Sequence, residues 1–189
     1  MDYSKAKMKG HVKIRDKVTG EVLVDKNNAV NFENMSIALA KSLGNKASGP
    51  INKMAFGNGG SSIDSLGVIT YLDTNAIGQN ATLYNETYSK VVDDNDVANA
   101  DPTENNIVIE HEDSKFYSDI VVTCTLDYDE PSGQGAFDNA SSFTDTFVFD
   151  EMALKTDDDT MLTHVIFHPI NKSLNRIIEV IYTLRISMQ

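Results

Sequence analysis

Gly10-His11-Val12-Lys13-Ile14-Arg15-Asp16, Lys17-Val18-Thr19-Gly20 and Glu21-Val22-Leu23-Val24-Asp25 form the stretch whose reading decides the fold. Val12 and Ile14 alternate with polar residues, the period-two pattern of a half-buried strand. Asp16 to Gly20 supplies a short glycine-containing turn, and Glu21 to Asp25 reads as the returning strand. An antiparallel hairpin therefore opens the chain.

Beyond Lys26-Asn27-Asn28, the spacing of Phe32, Met35, Leu39 and Leu43 predicts an amphipathic helix over 31–43, capped by Asn31 and stopped by Gly44. From Ile51 onward helical periodicity gives way to short segments rich in β-branched and aromatic residues, punctuated by Gly, Pro, Asn and Asp. Strands are expected at Ile51 to Phe56, Thr82 to Val92, Asn106 to Glu112, Tyr117 to Tyr128, Phe143 to Leu154, Met161 to Phe167 and Arg176 to Ser187. The fold class follows: mainly β, an antiparallel β-sandwich or jelly-roll-like domain with an N-terminal hairpin and one amphipathic helix. One domain over 1–189 is expected, with the hairpin and helix in 1–48 and a β-sandwich with long loops in 49–189.

The last strand carries Ile177 and Ile181 on one face and Ile178, Val180, Tyr182, Leu184 and Ile186 on the other. Such a strand is central, or its second face meets another subunit, so Ile181→Asp is expected to impair folding or assembly.

The net charge of −12, from 16 basic and 28 acidic residues, has the wrong sign for binding nucleic acid or anionic lipid through bulk charge. Charge is unevenly placed, with ten Lys/Arg and five Asp/Glu in residues 1–53 and six against twenty-three in residues 54–189. Cys124 is the single cysteine and shares a strand face with Ile120, Val122 and Leu126, which suits a buried, inert thiol. Met1 to Gly10 lacks an apolar h-region and no apolar run of about 18 residues occurs, so neither signal peptide nor membrane span is expected.

Chemistry-bearing motifs are sparse. Gly57-Asn58-Gly59-Gly60 lacks the third glycine of a dinucleotide cradle and any following GK[ST], and reads as a turn in which glycine supplies positive φ. His164 and His168 have i, i+4 spacing, but in a strand they stand about 13 Å apart, too far to share one ion. Asp93, Asp94 and Asp96 concentrate oxygen ligands in a loop and are calcium candidates, although the glycine an EF-hand loop requires is missing. Asp157-Asp158-Asp159 reads as a solvated hairpin turn. No nucleophile elbow or HExxH occurs. The expectation is a non-enzymatic protein with no catalytic residues and no cofactor, calcium aside.

The succession of Val12-Lys13-Ile14-Arg15-Asp16, Thr19-Gly20-Glu21-Val22-Leu23, Asn27-Asn28-Ala29-Val30 and Asn34-Met35-Ser36-Ile37-Ala38 resembles the start of small structural proteins of tailed bacteriophages. Ile51-Asn52-Lys53-Met54-Ala55-Phe56-Gly57-Asn58-Gly59-Gly60 extends the likeness over the first third of the chain. The resemblance implies a multi-copy virion protein of the neck or collar, the capsid surface, or the tail or baseplate, made in the host bacterial cytoplasm. Its partners would be other virion proteins and further copies of itself, with no direct nucleic-acid or membrane contact. Interface candidates are Lys13, Arg15, Phe56, Asn58, Ile177 and Ile181. The alternative is a carbohydrate-binding or adhesin-like β-sandwich module, including a receptor-binding tail component. Tryptophan is absent, so Tyr71, Tyr84, Tyr88, Tyr117 and Tyr128 would have to supply its sugar platforms.

Overall fold

In the computed structural model, which describes residues 5–133 and 147–189, the opening hairpin forms the middle of the sheet. Strand β1 (Ala6–Asp16) pairs with β2 (Val22–Val30) on one side and with β11 (Ile178–Met188) on the other. The turn closes as its composition requires, with Gly20 at φ +77 and the Asp16 carboxylate accepting from the amides of Val18 and Thr19. Both strands run longer than the alternating pattern alone suggests, because β11 supports β1 over eleven consecutive residue pairs.

The helix α1 (Phe32–Leu43) begins at its expected cap, where the Asn31 side chain accepts from the Asn34 amide. Its buried face differs from the expected stripe. Asn34, Met35 and Ala38 are buried, whereas Phe32 is 66% and Leu43 88% exposed. The Asn34 side chain is drawn inward because its amide donates to the Met161 carbonyl at 2.9 Å, which rotates the helix away from its apolar ends. Gly44 ends the helix with φ −81, its amide bonding the Ala40 carbonyl, and the left-handed residue of the cap is the next one, Asn45 at φ 51, after which the Lys46 amide bonds the Lys41 carbonyl at 2.8 Å.

The remaining strands are β3 (Ile51–Gly57), β4 (Ser61–Ile63), β5 (Ile69–Tyr71), β6 (Glu86–Val91), β7 (Asn106–Glu110), β8 (Tyr117–Leu126), β9 (Val148–Thr156) and β10 (Thr163–Asn171). The expected strand from Thr82 is shortened, because residues 82–85 leave the sheet and cross its outer surface. Of the expected Phe143 to Leu154 strand, residues 143–146 lie outside the described residues, as do 134 and 135 of the Glu130 to Gly135 loop.

Nine strands form one antiparallel sheet in the order β6-β3-β9-β10-β2-β1-β11-β8-β7, with β4 and β5 as a separate hairpin. Only Thr163↔Val30 and His164↔Ala29 join β10 to β2. At that narrow seam the sheet folds over on itself, and its two halves pack face to face as a β-sandwich-like fold. Val12, Ile14, Val122, Cys124, Val180, Tyr182 and Leu184 from one half meet Met54, Phe56, Phe149, Met152, Leu154, Val165 and Phe167 from the other in a single core. Burial of each such large side chain contributes roughly 1.5–3 kcal/mol. Cys124 sits in this core with its thiol pushed up to about 12 by burial.

The two edge strands, β6 and β7, are consecutive in the chain and joined by residues 92–105. Lys90 of β6 reaches the Thr125 carbonyl of β8 at 2.8 Å and pairs with Glu130.

Candidate functional site

A sealed cluster of polar side chains lies on the outer face of the β3-β9-β10 half. There, three outward positions carry at most a methyl group: Ala55 and Gly57 on β3, Ala153 on β9. That leaves room for the segment 72–85 to lie flat on the sheet, where Ala81 and Leu83 pack on Ala55, Ala153 and Met161. Between these layers stand Glu151 and His164, both with side chains 0% exposed.

The Glu151 carboxylate accepts from four donors. Oε1 takes the amides of Asn85 at 2.8 Å and Gly59 at 3.1 Å; Oε2 takes the Tyr84 amide at 3.0 Å and lies 2.9 Å from His164 Nε2. The tautomer follows from the other ring nitrogen: the Asn75 amide donates to His164 Nδ1 at 2.8 Å, so the ring proton sits on Nε2 and is donated to Glu151. Burial would raise the Glu151 pKa, but the His164 side chain and the Asn85 and Tyr84 amides outweigh it and hold the carboxyl below its usual range. Neighbouring Asp150 accepts from the amides of Gly60 and Ser61, both at 2.8 Å, and from the Ser61 hydroxyl at 2.5 Å. Burial prevails there, and the Asp150 pKa is raised.

The glycine loop is therefore a cradle for anions, and the anions are carboxylates of its own chain. Positive φ is not its reason for glycine, contrary to the expectation from sequence, since Gly57, Gly59 and Gly60 are absent from the positive-φ glycines. Close approach is. A Cβ on Gly57 would stand 2.5 Å from the Asn85 carbonyl oxygen, and one on Gly59 would stand 2.7 Å from the Asn85 nitrogen. The cluster clamps two loops to the sheet: residues 57–61 through Asp150 and Glu151, and residues 72–85 through Glu151 and His164. The sequence reading missed this clamp. Its legible signal was Asp150-Glu151 between the apolar Val148-Phe149 and Met152-Ala153-Leu154 of one strand, with a histidine in the next.

The residues singled out from sequence scatter over the molecule. Phe56 is 1% exposed, its ring 5.1 Å from that of Phe149, so it is a core residue and not an interface residue. Asn58 is half-buried and binds Asn85 through its amide and side chain. Ile181 is half-buried on the outer face of β11, opposite Lys13 of β1 and Thr123 of β8. Ile177 precedes β11 and its carbonyl accepts from the Lys17 amide. Arg15 pairs with Glu179, Lys17 with Glu104, Lys41 with Asp158 and Lys53 with Asp159. Much of the basic N-terminal segment thus meets acidic residues of its own chain. Lys13 carries no ion pair among the described residues.

Asp93 and Asp96 are used locally. Asp93 accepts from the Asn95 amide, and Asp96 from the Ala98 amide and the Asn52 side chain, which hold its pKa down. Asp94 is exposed. Among the described residues no three His, Cys, Asp or Glu side chains are placed to hold a metal ion. His168 is exposed and bonds the Tyr71 hydroxyl, far in role from the sealed His164. Tyr84 lies against the His164 ring and donates to the Asp73 carbonyl, while Tyr117 lies under the Arg185 guanidinium at 4.0 Å.

An apolar cavity of about 390 Å³ opens between α1 and the inner face of β7, β8 and β11. Met35, Leu39, Ile107, Ile120, Leu184 and Ile186 line it, with Asp93 and Asp94 at its mouth. Comparison with protein-family models, curated proteins and solved structures finds no match to this chain. Among the described residues no helix is long and apolar enough to cross a membrane.

Proposed function

We propose that the protein is a non-enzymatic structural component of a tailed-bacteriophage virion, present in many copies in the neck or collar or on the capsid, and acting through subunit contacts. The resemblance of its first third to such proteins supports the virion identity. The observation that carries the assembly reading is exposed apolar surface. Ile109, Phe116, Leu43 and Met188 are all exposed, and Ile109 also lines the aliphatic cavity under α1. The buried polar cluster contributes in a different way. It fixes long loops rigidly on the sheet, which gives a subunit surface that needs little ordering on contact.

The test is the mass of the purified protein by light scattering coupled to size exclusion, across a hundredfold range of concentration. A discrete multimer supports assembly through self-contacts, whereas a strict monomer at every concentration overturns it. Negative-stain images of the multimer then report ring or dimer symmetry.

A further inference from the structure

The two edges of the sheet are treated differently. Edge β6 carries Glu86 and Lys90, which pair with Lys155 and Glu130, and Tyr88 lies against Phe56. Its Lys90 ammonium also caps a carbonyl of β8. Edge β7, Asn106-Ile107-Val108-Ile109-Glu110, has none of these protections. It pairs with β8 in unbroken register, without bulge, proline or lysine, and three of its five residues are β-branched aliphatics. Among the described residues, no backbone group of 107–110 finds a partner on the side away from β8. Val108 is 49% and Ile109 64% exposed.

We propose that β7 is the contact by which two copies of this chain pair, antiparallel, about a two-fold axis through Val108. This inference rests on the assembly reading and names its interface. The strand is self-complementary about that residue. Ile107 falls opposite the partner's Ile109, Val108 opposite the partner's Val108, and Glu110 opposite the partner's Asn106, so no carboxylate faces another within the paired strands. A two-fold axis perpendicular to the sheet keeps inner faces on one side. Ile107 and Ile109, which border the cavity, would then form an apolar row continuous across the two subunits. Each copy carries −12, so the copies repel at long range, and added salt strengthens this association instead of weakening it.

The variant Val108→Cys tests the register. Residues opposite each other in an antiparallel pair have Cα atoms about 4.5–5.5 Å apart, within disulfide reach. Cys124 is buried and contributes no background. Under mild oxidation, Val108→Cys is expected to cross-link into a dimer at least tenfold faster than Val97→Cys, a fully exposed control in the 92–105 loop. Ile109→Lys, at an exposed site that leaves folding intact by circular dichroism, is expected to shift the dimer to monomer in sedimentation velocity. Cross-linking no faster than the control, or an unchanged oligomer in Ile109→Lys, overturns the β7 interface while leaving assembly through another surface standing. A wild-type protein that is monomeric throughout overturns the interface and the assembly reading together.

Discussion

The two halves of the sheet carry the same kind of strand but different coverings. In the β1-β11-β8 half the outer face is bare, and β1 alternates strictly from Gly10 to Asp16, with Val12 and Ile14 inside and His11, Lys13 and Arg15 outside. In the β3-β9-β10 half the outer face lies under residues 72–85, and every residue of β9 is buried. Alternation in a strand therefore reports one free face, and its loss reports a second layer. The bare half is held outside by ion pairs such as Arg185–Asp119, bidentate at 2.7 Å, and the covered half by the sealed carboxylates. Equivalent changes should cost much in the covered half and little in the bare one.

The largest effect is expected from Glu151→Ala. It leaves the amides of Gly59, Tyr84 and Asn85 and the His164 ring without their acceptor, and is expected to cost about 3–5 kcal/mol of stability in urea unfolding. Proteolysis within 72–85 should accelerate at the same time, since that segment loses its clamp. Next comes Gly57→Ala, where the added methyl meets the Asn85 backbone and the Glu151 side chain and is expected to cost about 1–3 kcal/mol. Gly67, at φ +84 in the β4-β5 turn, has open space around it, so Gly67→Ala should show only the backbone strain of about 1 kcal/mol.

Acid should act more gradually. Glu151 is held below its usual pKa against the cost of burial by His164 and two amides, and Asp119 chiefly by its bond to Arg185. Both are depressed in the folded protein, so their stabilisation is present above about pH 4 and is lost as pH falls through the lower folded values. Asp150 is raised and works with the opposite sign. The urea midpoint is therefore expected to fall between pH 5 and pH 3, and to fall less in Glu151→Gln.

The smallest effect is expected at Ile181, where the sequence alone predicts impaired folding or assembly. Its side chain lies half-exposed on the bare face, opposite Lys13, so Ile181→Asp introduces a carboxylate beside an unpaired ammonium and should change stability by less than about 0.5 kcal/mol. A large loss would show that the outer face of β11 is covered in solution.

Most of the secondary structure was legible, because it rests on local rules. Val12 and Ile14 named a strand, Thr19-Gly20 a turn, Asn31 a cap, and Ile178 to Leu184 a central strand with a core-facing set of side chains. The clamp was not legible in the same way. Nothing local to Asp150, Glu151 or His164 announces their shared role, since sequence says which residues alternate but not which loop returns to cover them. The helix shows the same limit on a smaller scale: the pattern Phe32, Met35, Leu39, Leu43 is real, but the Asn34 bond to the Met161 carbonyl fixes which face turns inward.

By itself the sequence determined the β-rich class, the opening hairpin, the single capped helix, the acidic surface and the inert thiol, all consequences of side-chain period, turn chemistry and charge. Tertiary structure alone decided that the hairpin lies at the centre of a sheet folded at a two-pair seam. It also decided that the glycine loop cradles the chain's own carboxylates, and that one edge is sealed by Lys90 while the other is left open. The physical reason is common to all three. Each depends on contacts between residues from distant segments, whose free energy comes from excluding water and satisfying backbone donors at a junction that no local pattern encodes.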